Sequence, residues 1–276
     1  MTLDLTLHTA PAVPLEAEVI TPARLAGLSL LETAKLTVVH GNQSAELGEF
    51  FRVDGAAGGE VHLSGDLARV KMVGAGMTEG RIVIHGPAGM HLGVGMSGGE
   101  IVVEGSAGDW VGAEMAGGRI IVRGDAGHMV GAPYRGSRVG MRGGEILIFG
   151  NAGNEAGSGM HRGLVAIAGD SGDFTGVNML AGTIAVLGRL GWRPGAGMRR
   201  GTIVSMHPPE MLPTFAFACT FRPVILRLYL PYLRGLGLPV TEAQVQGSYQ
   251  RWCGDAIELS RGEILLLHSG EASATG

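Results

Sequence analysis

Met77-Thr-Glu-Gly80-Arg-Ile-Val-Ile-His-Gly86-Pro-Ala-Gly89-Met-His-Leu-Gly93-Val-Gly95 is the first of six consecutive blocks built to one pattern. Each block opens on Met, reaches Gly three residues later, runs four or five residues of strand character, and arrives at Gly-X-Ala-Gly or a variant of it. Met77, Met96 and Met115 are 19 residues apart, as are Met141, Met160, Met179 and Met198. The gap of 26 between Met115 and Met141 is one period plus a seven-residue insertion around Pro133-Tyr-Arg-Gly-Ser-Arg-Val139. A fixed period near 20 with one strand run per unit is the mark of a stacked, quasi-one-dimensional architecture.

Within each run apolar residues alternate: Ile82 and Ile84 share one face, while Arg81, Val83 and His85 occupy the other. The inward pair recurs as Ile101/Val103, Ile120/Val122, Ile146/Ile148, Val165/Ile167 and Ile184/Val186. Glycines close each run too soon for a helix. If each block is one coil, equivalent residues stack at the strand spacing of ~4.8 Å. The outward column Arg81, Glu100, Arg119, Glu145 then alternates in charge sign, as stacked side chains should. The Met column forms a ladder along the core edge, and the glycine columns mark corners. Gly59-Glu-Val-His-Leu-Ser-Gly65 reads as an earlier coil. The expected fold is all-β: a right-handed parallel β-helix of about seven coils over residues 55–205, with an N-terminal cap over 1–54.

The cap reads as a strand at Met1-Thr-Leu-Asp-Leu-Thr-Leu, then a short helix capped by Thr21 with Pro22 in its first turn, then a hairpin turning at Gly41-Asn42. A solenoid needs such a cover because its open strand edge otherwise recruits other chains. Beyond Ser205 the repeat stops, and Pro208, Pro209 and Pro213 form a linker. Residues 206–276 form a small α/β extension: apolar helical segments across Arg222 to Gly237, a hairpin over 249–268, and a polar tail from Ser269 expected to be disordered. The apolar stretch either caps the last coil or docks a partner.

The 276 residues are 45% hydrophobic with a net charge of −4, the charges being interspersed, so neither a nucleic-acid nor a membrane surface is indicated. The N-terminus lacks the pattern of a signal peptide, and no run is apolar enough to span a bilayer. Two cysteines, Cys219 and Cys253, form no CxxC, and the plain reading is a reduced, cytoplasmic protein, with a single disulfide left open.

Chemistry is sparse. Gly93-Val-Gly95-Met-Ser-Gly98 matches GxGxxG, but a β-run follows it where a dinucleotide site needs a helix. The nine histidines show no metal-ligand spacing. Carboxylates that a β-helical polysaccharide lyase or hydrolase would use, among them Glu79, Asp109, Glu114, Asp125, Glu155, Asp170 and Asp173, fall mostly at turns, where Asp serves the backbone. No catalytic constellation and no resident cofactor is expected. The irregular features say more: the insertion projects Tyr134, Arg135 and Arg138, and Arg142, His161, Arg162, Arg199 and Arg200 follow the Met column. Stacked in register they make a basic stripe, either a solvated edge or a surface for an anionic ligand or partner.

Gly124-Asp-Ala-Gly-His-Met-Val-Gly-Ala132, Glu114-Met-Ala-Gly-Gly-Arg-Ile-Ile-Val-Arg-Gly124 and Met141-Arg-Gly-Gly-Glu-Ile146 resemble the C subunit of formylmethanofuran dehydrogenase, and also the related GXGXG domain of glutamate synthase. Tyr134-Arg-Gly-Ser-Arg138 and Phe221-Arg-Pro-Val-Ile-Leu-Arg-Leu-Tyr-Leu230 are similar to the bacterial form, from the formyltransferase/hydrolase complex of methylotrophs. The resemblance implies a scaffold in tetrahydromethanopterin-linked one-carbon metabolism, oxidising formaldehyde to formate. Catalysis then belongs to a metal-dependent amidohydrolase-like subunit and a formyltransferase subunit, with a methanofuran-type carrier between them. Because such carriers bear an anionic, glutamate-rich tail, the basic stripe at Arg135, Arg138, Arg142 and Arg162 is expected to guide it, and Tyr134, Arg135, Arg138, Arg142, Arg162, Arg199 and Arg200 together are the expected contacts for the tail or a partner subunit. The alternatives are the equivalent subunit of a tungsten or molybdenum formylmethanofuran dehydrogenase and, in another class, a stand-alone carbohydrate-active β-helix enzyme.

Overall fold

The computed structural model describes residues 2–268. The N-terminal part runs β1 (Thr2–Leu7), β2 (Leu15–Glu16), α1 (Pro22–Leu25), α2 (Leu30–Ala34), β3 (Thr37–His40), β4 (Gln43–Glu46) and β5 (Phe51–Gly55). The repeats give β6 (Glu60–Ser64), β7 (Val70–Lys71), β8 (Arg81–His85), β9 (Ser97–Val103), β10 (Gly117–Val122), β11 (Glu145–Ile148), β12 (Leu164–Ile167), β13 (Thr183–Val186) and β14 (Thr202–Ser205). The extension adds β15 (Ala216–Phe221), α3 (Leu226–Gly235), α4 (Glu242–Gln246), β16 (Tyr249–Gly254) and β17 (Gly262–Leu267). The chain is predominantly β, with few and short helices.

Thirteen strands form one sheet in the order β15-β16-β17-β14-β13-β12-β11-β10-β9-β8-β6-β1-β5. The strands from the repeats pair parallel and in register, so that Ile82, Ile101, Ile120, Ile146, Val165, Ile184 and Ile203 lie side by side across it. A second row of parallel bridges, from Leu67 through Ala88, Ala107, Ala126, Ala152 and Ser171 to Leu190, ties each unit to the next at another point. Both flanks continue this register: Leu3 of β1 pairs with Val61, and Ile264 of β17 with Ile203. Antiparallel strands then finish the two edges, β5 on β1 and β16 with β15 on β17.

The inner core holds the Ile/Val ladder and the seven methionines that open the repeats, Met77, Met96, Met115, Met141, Met160, Met179 and Met198, none more than 1% exposed. The flexible thioether suits a column that must fit against glycine corners. At Gly118, φ is +83° and a Cβ would lie 2.8 Å from the Gly99 carbonyl oxygen, so neighbouring repeats approach through glycine.

The short helix and the hairpin expected in the N-terminal part are both present. Thr21 caps α1, its Oγ1 accepting from the Arg24 N–H at 3.3 Å, and β3 and β4 form the hairpin around Gly41-Asn42. The apolar C-terminal stretch requires a correction. Strands β15 to β17 continue the sheet past β14, whereas α3 lies along the outer face of the sheet. There Leu226, Leu230 and Leu233 pack with Val102, Ile121, Leu147, Ala166, Ala185, Val204 and Leu265 in a second core. The reason is in the runs themselves: from Ile82-Val83-Ile84 onward the central outward residue is apolar too, and a sheet apolar on both faces needs a second cover. The tail from Ser269 lies outside the described residues. Cys219 and Cys253 are free thiols on the neighbouring strands β15 and β16. No helix among the described residues is long and apolar enough to cross a membrane.

Candidate functional site

Most turn carboxylates are bound to the backbone. Asp125 Oδ1 accepts the Asn151 N–H at 2.7 Å, Asn151 Oδ1 accepts that of Asp170 at 2.8 Å, and Asp170 Oδ1 that of Arg189 at 2.7 Å. A parallel ladder runs from Asp109 through His128, Asn154 and Asp173 to the Trp192 N–H. Each side chain thus satisfies an N–H one coil further on, as the turn positions led us to expect. Gly93 and Gly95 sit in a left-handed turn that leads into β9. That geometry lacks the helix of a dinucleotide site.

The seven-residue insertion builds a cleft of about 620 Å³. Its walls include Tyr134, Arg135 and Arg138 from the insertion, His161 and Arg199 from the positions after the Met column, and Glu155 and Glu258. The insertion is anchored at both ends: the Tyr134 N–H donates to Glu114 Oε1 at 3.2 Å and the Gly140 N–H to the Gly159 carbonyl at 2.9 Å. Beneath it the His91 ring lies against Trp110 and Tyr134, with centroids 5.2 and 5.3 Å apart. Burial, helped by Lys71, holds the His91 imidazole below its ordinary value against the pull of Glu16 and Asp109. Burial, then Glu114 and Glu16, push the Tyr134 phenol up. Both groups are therefore neutral near pH 7, and the aromatic stack is a rigid floor for the insertion.

The sequence stripe divides in three dimensions. Tyr134, Arg135, Arg138 and Arg199 share the cleft. Arg162 lines a second, polar depression with Glu145, Thr183 and Tyr229, while Arg142 and Arg200 are exposed and line neither. His161 and Arg162 lie at a bend before β12, where both of their N–H groups reach the Met141 carbonyl, and only His161 lines the cleft. Arg199 is bound to Glu258 at 2.9 Å, a partner from the extension that no periodicity signals. Arg135 and Arg138 have no ion-pair partner among the described residues. The cleft thus brings together two guanidiniums without an ion-pair partner among the described residues, a paired one, the carboxylates of Glu155 and Glu258, and hydroxyl and amide groups of Ser137, Ser158 and Asn178.

On the outer face the charge column is as expected: Arg81 bridges Glu60 at 3.3 Å and Glu100 at 3.2 Å, and Arg119 meets Glu100 at 3.7 Å and Glu145 at 2.9 Å. Tyr232 of α3 joins it, donating to Glu145 at 2.7 Å and accepting from Arg119 at 2.8 Å. This network fastens the helix to the sheet.

No protein-family model matches the chain. Over 85 residues it is 44% identical to the C subunit of the molybdenum-containing formylmethanofuran dehydrogenase 1 of Methanosarcina barkeri, covering 29% of this chain and 28% of that protein. Over 93 residues it is 42% identical to the C subunit of the tungsten-containing formylmethanofuran dehydrogenase 2 of Methanothermobacter thermautotrophicus, covering 32% and 34%. The matched stretch thus spans about a third or less of these curated relatives. Among solved structures, a chain of the formyltransferase/hydrolase complex (FhcABCD) from Methylorubrum extorquens, in complex with methylofuran, superposes with a TM-score of 0.90 at 35% identity. That match covers 96% of this chain and 99% of the other. With a relative matched over nearly its whole length and named C subunits sharing the repeats, the chain belongs to the family of formylmethanofuran dehydrogenase C subunits.

Proposed function

We propose that this chain is the non-catalytic C subunit of a formyltransferase/hydrolase complex in tetrahydromethanopterin-linked one-carbon metabolism, converting formaldehyde to formate in the cytoplasm. The observation that carries this reading is the match over 96% of the chain to a chain of such a complex. The repeats, read as a right-handed parallel β-helix over 55–205 between a cap at 1–54 and an extension from 206, supply a rigid wall. An amidohydrolase-like subunit holding the metal and a formyltransferase subunit supply the chemistry. The cleft at Tyr134, Arg135, Arg138 and Arg199 receives the anionic tail of a methanofuran-type carrier; Arg142, Arg162 and Arg200 lie outside the cleft and meet partner or tail beyond it.

Affinity purification of the tagged chain from its native host, with mass spectrometry of co-purifying proteins, tests this reading. Recovery of an amidohydrolase-like chain and a formyltransferase without iron-sulfur proteins is the expected result; recovery of neither sinks it. The second reading, a subunit of a molybdenum or tungsten formylmethanofuran dehydrogenase, is favoured by 44% and 42% identity to such subunits. Molybdopterin and iron-sulfur chains in the same purification would establish it. For the cleft, Arg135→Ala with Arg138→Ala in the assembled complex is expected to weaken carrier retention and flatten its salt dependence. Unchanged retention and salt dependence would remove the tail from this cleft.

A further inference from the structure

Between Glu210 and Glu242 the sequence contains no Asp or Glu, and its only charges are Arg222, Arg227 and Arg234. This acid-free stretch forms β15 and α3. Strand β15 is an edge of the large sheet, paired only to β16, and all six of its residues are exposed. Phe221 stands opposite Tyr249, which is buried in the outer core, so Phe221 lies on the α3 side of the sheet. The next turns of chain present Val224, Ile225 and Leu228, which are 74%, 46% and 64% exposed. Leu228 lies on the side of α3 opposite the buried Leu226, Leu230 and Leu233.

Scattered surface leucines are ordinary, but consecutive exposed apolar residues beside an unguarded strand edge are not. The other edge of the sheet shows the contrast: β5 carries Arg52 and Asp54, paired at 2.7 Å, the kind of charge that blunts an edge. β15 has no charged residue.

We propose that Phe221, Val224, Ile225 and Leu228 are the seat of a different protein chain, one that presents an apolar surface rimmed by carboxylates to meet Arg222 and Arg227. Charge selects this occupant. A second copy packed across a two-fold axis brings the same arginines together, with no acid in the patch to pair them, whereas an acidic rim matches them. The inference rests on the chain being a subunit of a mixed complex and names the face through which one partner is held.

The test uses the full-length tagged chain in its native host. Compared are wild type, Val224→Asp with Leu228→Asp, Arg222→Glu with Arg227→Glu, and the control Leu31→Asp, an equally exposed leucine (66%) in the N-terminal cap. Thermal melting of each purified chain checks the fold. The expected result is at least a tenfold loss of one co-purifying chain with the Asp pair, a smaller loss with the charge reversal, and none with the control. Full recovery of every partner by the Asp pair overturns this inference alone, whereas a wild type that recovers no partner overturns the subunit reading as well. A wild-type chain that is dimeric in light scattering, and monomeric as the Asp pair, would show that the occupant is a second copy and overturn the proposal.

Discussion

Two glycines separate the demands of backbone conformation from those of coil stacking. Gly95 and Gly118 both have positive φ, +63° and +83°. A Cβ on Gly95 meets nothing within 4 Å, whereas one on Gly118 would lie 2.7 Å from Met96 Cε, 2.8 Å from Gly99 O and 2.9 Å from Gly98 C. Gly95→Ala therefore costs only the left-handed backbone, about 1–2 kcal/mol. The equivalent positions in two other coils, Glu114 and Asn178, already carry side chains at φ +55° and +56°. Gly118→Ala adds overpacking of about 1–3 kcal/mol, because the Met96 methyl can swing aside but the backbone of the preceding coil cannot. With a urea m-value of about 3 kcal/mol/M, the midpoint of Gly118→Ala falls below that of Gly95→Ala by roughly 0.3–1 M. The assay is equilibrium urea unfolding, read at unchanged m. Coincident midpoints for the two variants would refute the view that this glycine column exists to let coils approach.

Leu230→Ala, in the core between α3 and the sheet, is expected to cost about 2–5 kcal/mol and to raise amide exchange in α3 and in the facing strands from β9 to β14; protection unchanged there would deny the second core. Asn151→Ala removes the acceptor of the Asp170 N–H and the Nδ2 donor to Asp125, and about 1 kcal/mol of stability should go with them, measured by thermal melting. The depressed His91 ionisation makes the fold acid-sensitive: the unfolded chain takes up a proton below the ordinary value of 6.5 that the folded chain resists, so stability is full above that pH and declines beneath it. His91→Asn, whose side chain tolerates the left-handed backbone, should flatten the stability–pH profile below 6.5; an unchanged acid slope would place the sensitivity elsewhere.

Much of this architecture is legible because parallel in-register stacking turns long-range contacts into a fixed sequence offset. The Ile ladder, the Met column and the alternation of Arg81, Glu100, Arg119 and Glu145 can be read by counting, and each is present. The contacts that break the period cannot. Nothing in the repeat points to Tyr232 on Glu145 or to Glu258 on Arg199, since both partners come from the extension. The resting place of α3 does have a signal, the apolar outward residues Val102, Ile121 and Leu147, masked by the charged neighbours that begin each run. The basic stripe is narrower than counting suggests because the cleft is shaped by two features that break the period, the insertion and Glu258 of the extension, and Arg142, Arg162 and Arg200 do not line it. Of the stripe, the cleft keeps the insertion residues, His161 and Arg199.

The carbohydrate-active alternative requires free carboxylates on one face; Asp109, Asp125, Asp170 and Asp173 are instead engaged by backbone N–H groups. What the described residues offer is a large sheet with a cleft lined by Arg135, Arg138 and Arg199 at the insertion and an exposed apolar patch where β15 meets α3. The most direct measurement is formyl-group turnover by this chain alone, by its partner subunits alone, and by the reconstituted complex. A scaffolding role predicts no turnover by the chain alone and coupled transfer and hydrolysis only when it is added to the partners. Turnover by the isolated chain, or full coupling without it, would contradict that role.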